Sequence, residues 1–370
     1  MNVTDLGIGF IGLSSEGWAA RAHIPALENI RGYRINAVCT TSTESAKQSA
    51  ARHGARHYFA NPSDLAACPD VDLVVVAIRI HEHARAVIAA IDAGKNVYCE
   101  WPLGNGLAEA ESMAAHARSR GVRAFVGLQA RSSPAVRYIR DLVRSGYVGE
   151  VLSSTMVAAA GAWGASIEPR AIYALDRNSG ASLLTIQFSH AVDAMCWCLG
   201  EFEHLSATLA IRSPMPRRLD TGELVPKTIA DQIVVGGVLE GGAVASVHYR
   251  ADHTRGKNFL WEINGTEGDI VVSGDHGRLQ YGEFRIEGAT AGQKTLSELP
   301  VPDTYRLLPG SARDIPYTLS HAYLRVLEDL RQGTHEVPGF ADAVVRHRMI
   351  EAIERSAIDG SRQRYDRRLP

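Results

Sequence analysis

The run Leu73-Val74-Val75-Val76-Ala77-Ile78 has no polar residue in six consecutive positions. A strand without polar alternation must be covered on both faces, so this one belongs inside a sheet layered between helices. Such sheets are parallel, each strand returning through a crossover helix. Similar short runs at residues 6–13, 34–39, 96–99 and 124–128 alternate with helical stretches. One helix, expected over 84–93, stops at Gly94, a residue suited to the left-handed position past a helix end. Beyond residue 150 the pattern changes to strands at 150–159, 204–212, 232–239, 243–249, 260–264 and 269–273. Glu240-Gly241-Gly242 and Asn264-Gly265-Thr266-Glu267-Gly268 are turn sequences between them, which predicts a largely antiparallel second sheet. Helices are expected at about 317–332 and 339–359. The chain is thus read as α/β over residues 1–130, followed by an α+β domain over 131–370 with a large, open, mostly antiparallel sheet.

Hydrophobic residues make up 45% of the chain and charged residues 22%, a globular balance. A net charge of -2, with no basic run, offers no attraction to nucleic acid or an anionic membrane. Met1-Asn2-Val3-Thr4-Asp5 leads straight into a strand-like run and lacks the pattern of a secretory leader. No apolar run approaches the roughly 20 residues of a membrane-spanning helix. The cysteines (39, 68, 99, 196 and 198) are odd in number and sit mostly in apolar segments. They read as buried thiols of a cytoplasmic protein rather than disulfides. Cys196-Trp197-Cys198 has no paired second motif, so no metal site is expected.

Gly7-Ile8-Gly9-Phe10-Ile11-Gly12 matches G-x-G-x-x-G literally, but it falls within the first strand rather than after it. The turn that follows is Gly12-Leu13-Ser14-Ser15-Glu16-Gly17, with Trp18 next. It keeps the first and third glycines of a dinucleotide-binding turn and places Ser14 at the second, where a hydroxyl is able to donate to a phosphate oxygen. The alternative is an ordinary strand-to-helix turn with glycines for packing; the surrounding βαβ pattern favours a Rossmann dinucleotide-binding domain. The second strand ends in Cys39-Thr40-Thr41-Ser42, and the first acid, Glu44, belongs to the following helix. A strand end without carboxylate tolerates a 2′-phosphate, so the cofactor expected at Thr40, Thr41 and Ser42 is NADP or NAD, with NADP preferred.

The ordered motifs resemble the Gfo/Idh/MocA family of nicotinamide oxidoreductases over nearly the whole chain. Ala77-Ile78-Arg79-Ile80-His81-Glu82-His83 stands where that family usually has A-T-P-N-x-x-H. Ala93-Gly94-Lys95-Asn96-Val97-Tyr98-Cys99-Glu100-Trp101-Pro102 stands at A-G-K-H-V-x-x-E-K-P. Gln129-Ala130-Arg131 and Gly146-Tyr147-Val148-Gly149-Glu150-Val151 match the linker region, and His190-Ala191-Val192-Asp193 matches H-x-x-D. The resemblance implies cofactor contacts at Gly12, Ser14, Ser15, Gly17, Trp18, Ile78, Arg79, Ile80, His83, Glu100, Trp101 and Gln129. Within the family, Gly17-Trp18-Ala19, Glu100-Trp101, Phe188-Ser189-His190 and Val225-Pro226-Lys227-Thr228 resemble the branch of the fungal galactose-pathway repressor, a non-catalytic member that binds a transcription factor.

In the family mechanism the E-K-P lysine and the H-x-x-D histidine handle the substrate hydroxyl proton. Trp101 cannot exchange a proton, and Leu183–Ser189 lacks the acid usually found before the histidine. A positioned acid/base group is worth roughly 100- to 10,000-fold in rate. His190 remains as the acid/base group, with Asp193 one helical turn on to orient it. Of the lysines (47, 95, 227, 257 and 294), Lys257 and Lys227 are candidates to polarise a carbonyl or hydroxyl. Tyr173 is a candidate proton donor, and Trp163 and Trp101 offer flat faces for stacking. For each, surface or core packing is the alternative. The expected activity is hydride transfer between the nicotinamide and a sugar, polyol or related carbonyl compound. The alternative is a non-catalytic dinucleotide-binding regulator of a partner protein. By analogy with the family, the expected assembly is a homodimer or homotetramer.

Overall fold

A computed structural model describes residues 5–368 apart from 16 and 29. The leader reading of residues 1–4 and Glu16 of the glycine turn lie outside the described residues. The chain divides into two compact units, one of residues up to 132 with 308–344, the other of 133–307 with 345–368.

In the first unit, β1 (Leu6–Ile11), β2 (Tyr33–Cys39), β3 (His57–Phe59), β4 (Leu73–Val76), β5 (Asn96–Cys99) and β6 (Ala124–Val126) form one parallel sheet. Its order is β3-β2-β1-β4-β5-β6, so the direction of winding reverses between β1 and β4. Every residue of β4 is buried, as its unbroken apolar run demands. The helices of this unit are α1 (Ile24–Glu28), α2 (Thr43–His53), α3 (Pro62–Ala66), α4 (His83–Asp92) and α5 (Leu107–Arg120). Gly7 and Gly9 prove to be packing residues: a Cβ on Gly9 would lie 2.7 Å from Leu65 of α3 and 3.0 Å from Val71. The literal glycine motif in the strand therefore lets a helix close onto bare backbone.

The sequence reading assigned residues 308–344 to the second domain; they belong to the first unit instead. The helix Pro316–Gln332 carries Leu319, Ala322, Tyr323, Val326 and Leu327 at helical spacing. This stripe joins Ile8, Phe10, Val75, Tyr98 and Phe125 from one face of the parallel sheet in a single core. Only that burial satisfies an apolar stripe of this width.

In the second unit, α6 (Pro134–Arg144) leads into β7 (Val151–Ala159), and the short β8 (Ser166–Ile167) precedes α7 (Ser189–Leu199). The strands β9 (Phe202–Ala210), β10 (Arg217–Arg218), β11 (Gln232–Leu239), β12 (Val244–Arg250), β13 (Phe259–Gly265), β14 (Gly268–Gly274), β15 (Phe284–Thr290) and β16 (Ser297–Glu298) follow. Eight of these form a sheet ordered β16-β15-β14-β13-β7-β12-β11-β9. It is antiparallel except for β7 with β12, while β8 and β10 make a separate parallel ribbon. β15 is absent from the sequence reading, since Arg285, Glu287 and Gly288 dilute its apolar signal.

The register gathers several strand termini at one end of this sheet. Arg250 at the end of β12 pairs with Ala159 at the end of β7 and with Gln232 at the start of β11. Phe259 at the start of β13 faces Ala158 and Gly274. α7 feeds into β9 through Gly200, β9 ends opposite Gln232, and the residue that opens α7, Phe188, lies at that same end. The ring contact of Phe188 with Tyr249 of β12, 6.1 Å between centroids, agrees with this placement.

All five cysteines are free and buried. Among the described residues, no helix is long and apolar enough to cross a membrane.

Candidate functional site

In the first unit, the expected nucleotide residues fall at the carboxyl ends of parallel strands. Gly12 follows β1, Thr40 follows β2, Ile78 follows β4, Glu100 follows β5 and Gln129 comes just after β6. This edge, at a winding reversal, is where open α/β sheets bind ligands. Gly12 adopts φ +100°, and a Cβ there would collide with the Ala77 carbonyl and lie 2.5 Å from Ile78 Cγ2. Only glycine allows β1 and β4 to end this close together. Ser14 and Ser15 are exposed, while Gly17 donates its N–H to the Ser14 carbonyl at 3.1 Å. Trp18 is half-buried at the start of the short π-helical segment Ala19–His23 that precedes α1.

At the end of β2, Ser42 caps α2 by accepting from Ser45 N–H at 3.2 Å, and the Thr40 and Ser45 hydroxyls lie 2.6 Å apart. Thr41 is exposed, and Glu44 sits in the first turn of α2, where its carboxylate accepts from Gln48. Burial pushes the Cys39 thiol up to about 11, with the Arg85 charge acting against it. Past β4, Ile78 is half-buried, Arg79 exposed and Ile80 buried.

His83 requires a correction. Its ring is 1% exposed; Nδ1 lies 3.0 and 3.2 Å from the Pro102 and Leu103 carbonyls, and Nε2 lies 3.2 Å from the Ile78 carbonyl. The imidazole ties the end of β4 to the segment after β5 instead of presenting itself to a nucleotide. Burial holds it below its ordinary range, acting against the three carbonyls and Glu100, which favour the charged ring.

Trp101 is 4% exposed and Gln129 is equally buried, with no partner for its Oε1. Glu100 is backed by residues that sequence reasoning missed. His23, fully buried, places Nε2 3.2 Å from Glu100 Oε1 and Nδ1 2.6 Å from the Tyr323 hydroxyl. Burial pushes the Tyr323 phenol well above its usual range, so it keeps its proton and donates it to Nδ1. Nε2 and Glu100 Oε1 approach each other without forming a hydrogen bond. Tyr98 stacks on Tyr323, 5.3 Å between centroids, and Tyr33 donates to the Tyr323 carbonyl at 2.8 Å. Residues 300 positions apart make this chain, a separation beyond any local pattern.

In the second unit, His190 is 4% exposed near the start of α7. Gln187, where an acid would be sought, is also buried, and its Oε1 accepts from Gln280 Nε2 at 3.4 Å. Asp193, read from sequence as the group orienting His190, is fully buried, with Oδ1 3.2 Å from the Arg346 guanidinium. Arg346 also pairs with Glu201 at 2.7 Å, and Tyr365 donates to Glu201 at 2.7 Å. Asp193 is thus anchored in the core by a charge the sequence did not reveal. Tyr173 is 37% exposed in a 3-10 segment, Pro169–Leu175. Lys257 is exposed in the loop after β12.

Lys227 is corrected as a candidate for the missing lysine. It is 4% exposed and donates to the carbonyls of Trp163 and Gly164, both at 3.2 Å, and to Asp231 at 2.7 Å. All three ammonium hydrogens are engaged, leaving none for a substrate.

Comparison with known proteins agrees with this fold. Residues 6–128 match the model of the oxidoreductase family with an NAD-binding Rossmann fold, GFO_IDH_MocA, and residues 134–274 match that of the Gal80p C-terminal domain. Dehydrogenase aclE of Aspergillus oryzae is 32% identical over 90% of each chain. The galactose/lactose metabolism regulatory protein GAL80 of Saccharomyces cerevisiae is 26% identical over 97% of this chain and 94% of its own. Among solved structures, a levoglucosan dehydrogenase in complex with NADH and levoglucosan superimposes with a TM-score of 0.83 at 22% identity, covering 98% of this chain and all of its own. The chain belongs to the Gfo/Idh/MocA family of oxidoreductases, built on an NAD-binding Rossmann domain. Its second domain is of the Gal80p type.

Proposed function

We propose that this protein is an NAD(P)-dependent oxidoreductase of sugars or polyols, working at CH–OH carbons with an altered set of proton-handling groups. The observation that carries the reading is the convergence of Gly12, Thr40, Ile78, Glu100 and Gln129 on one edge of the parallel sheet, around the reversal between β1 and β4. The exposed Ser14 and Ser15, in the turn that Gly12 opens, fit a pyrophosphate. Ser14, Ser15, Gly17 and Trp18 would hold that part of the cofactor, Thr40, Thr41 and Ser42 the adenosine ribose, and Ile78, Arg79, Glu100, Trp101 and Gln129 the nicotinamide half. When bound, the nicotinamide supplies the hydride donor or acceptor.

The chain's own residues then have to move a proton and orient the substrate. His190 is the group proposed to take the hydroxyl proton during oxidation and return it during reduction, a task suited to imidazole near neutral pH. Tyr173 and Lys257 are proposed auxiliaries on the same unit. The indole of Trp101 is aprotic in this sense, so it shapes the site without entering the proton path. NADP is preferred over NAD because the β2 terminus presents the hydroxyls of Thr40, Thr41 and Ser42 and no carboxylate of its own. The outward face of the second sheet, with Val234 and Val244 exposed, is proposed as the contact of a homodimer or homotetramer, which light scattering measures.

Purified protein is mixed with NAD+ or NADP+ and levoglucosan, L-sorbose, D-glucose, D-galactose or myo-inositol, and absorbance of the reduced cofactor is followed. Turnover with a member of the panel supports the reading. Tight dinucleotide binding with no turnover across the panel overturns it and favours a regulator, the role of the GAL80 relative and one compatible with tryptophan in the lysine's place.

A further inference from the structure

Among the described residues, two that are not glycine have positive φ: Trp163 at 67° and Asp252 at 56°. They belong to one hydrogen-bonded assembly. The Asp252 carboxylate accepts the N–H groups of Gly164 at 3.0 Å and Ala165 at 2.7 Å. From the other side, the buried Lys227 ammonium donates to the carbonyls of Trp163 and Gly164. Lys227 is in turn fixed by Asp231, whose carboxylate also accepts the N–H groups of Arg212 at 2.9 Å and Ser213 at 2.8 Å. Gly164 has no room for a side chain, since a Cβ would collide with the Asp252 carboxylate.

The N–H groups of Gly164 and Ala165 and the carbonyls of Trp163 and Gly164 are therefore held by charged side chains from elsewhere in the chain. Each positive-φ residue that is not glycine costs about 1–3 kcal/mol, and such strain persists only where its surroundings over-determine it. A solvated surface loop needs none of this. The assembly also stands where function is concentrated: Asp252 follows the end of β12, Lys227 and Asp231 precede β11, and Trp163 follows β7. These termini meet at the sheet end that also carries the start of α7 and His190.

We propose that Trp163 is a specificity-determining residue, a fixed aromatic platform for the apolar face of a substrate ring, and that Lys227 and Asp252 are positioning residues that set its backbone. This rests on the sugar oxidoreductase reading. Lys227 acts through the Trp163 carbonyl and not on the reacting atoms. A half-buried indole held in one geometry contributes contact area with little ordering cost, which suits a ring-shaped ligand.

The test compares the full-length protein with Trp163→Ala, Trp163→Phe, Asp252→Asn and Asp252→Ala. Asparagine tolerates positive φ and keeps the volume of Asp252, but its amide offers one acceptor oxygen in place of two. Near-UV circular dichroism, after subtraction of the Trp163→Phe spectrum, isolates the Trp163 band and needs neither cofactor nor turnover. Its loss in Asp252→Ala, with partial loss in Asp252→Asn, supports the positioning role; an unchanged band in Asp252→Ala overturns it. In steady-state assays on the sugar of the panel that the wild type turns over, Trp163→Ala is expected to raise KM for the sugar roughly tenfold. Its kcat should stay within about threefold and KM for the dinucleotide should not move. Asp252→Asn should fall between Trp163→Ala and wild type. An unchanged sugar KM in Trp163→Ala, or an equal rise in both KM values, overturns the platform. If wild type turns over no sugar, the oxidoreductase reading fails and the platform with it, whereas the dichroism still decides whether Asp252 sets Trp163.

Discussion

Replacing Tyr323 with Phe removes one oxygen and leaves the ring stacked on Tyr98, so it isolates the bond to His23. His23 is fully buried, and its Nδ1 then faces a hydrocarbon edge with no water to replace the phenol. Stranding a buried polar atom costs about 1–3 kcal/mol. No cavity larger than a hydroxyl forms, so packing adds little. At about 2–4 °C per kcal/mol for a unit of this size, the melting temperature should fall by roughly 2–12 °C. Calorimetry or circular dichroism measures that fall. His23→Leu and the double variant complete a mutant cycle, and the hydroxyl and the imidazole should couple by at least about 1 kcal/mol. With Nδ1 no longer told which tautomer to hold, the orientation of His23 toward Glu100 loosens, so dinucleotide affinity should weaken alongside stability. A Tyr323→Phe protein with wild-type melting temperature, or effects that add without coupling, would refute the bond between Tyr323 and His23.

Three further outcomes are expected. His190→Asn should lower kcat on the preferred sugar by roughly 100- to 10,000-fold while leaving dinucleotide binding by fluorescence titration intact, because asparagine keeps a donor but transfers no proton. Gly12→Ala should destabilise the first unit by roughly 2–5 kcal/mol, combining the cost of positive φ with overpacking against Ala77 and Ile78, and denaturant melts measure it. His347 is 4% exposed, and burial drives it down to about 3. The unfolded chain binds that proton more readily, so stability falls as pH drops below about 6.5, by about 2 kcal/mol at pH 5. The slope of stability against pH over that interval, measured by urea melts, should flatten in His347→Leu.

The parallel sheet was legible because burial on both faces leaves an unbroken apolar run, as at Leu73–Val76, and the glycine turn because φ +100° at Gly12 admits little else. The strands of the second sheet were legible from turn residues and alternation. The tail was misassigned because an amphipathic helix advertises an apolar face without naming its partner; Tyr323 and Val326 found theirs on the first sheet. The same limit applied at the candidate site. Lys227 and Asp193 are charged residues near motifs, and nothing in a linear sequence reveals that the one is held by the Trp163 carbonyl or that the other pairs with Arg346. His83 matched a family position while its ring serves three backbone carbonyls. Apart from the Ile78 carbonyl, five residues from His83, such outcomes depend on partners 19 to 300 residues away.

Hydride transfer itself is tested most directly by isotope tracing. The protein is incubated with NAD+ or NADP+ and the preferred sugar carrying deuterium at each oxidisable carbon in turn, and the dinucleotide is examined by mass spectrometry. Reduced dinucleotide one mass unit heavier, obtained from a single labelled position and lost in His190→Asn, is the expected result. Saturated dinucleotide binding with no deuterium transferred from any position would contradict an oxidoreductase and leave Trp101 as the mark of a chain that binds its cofactor without using it.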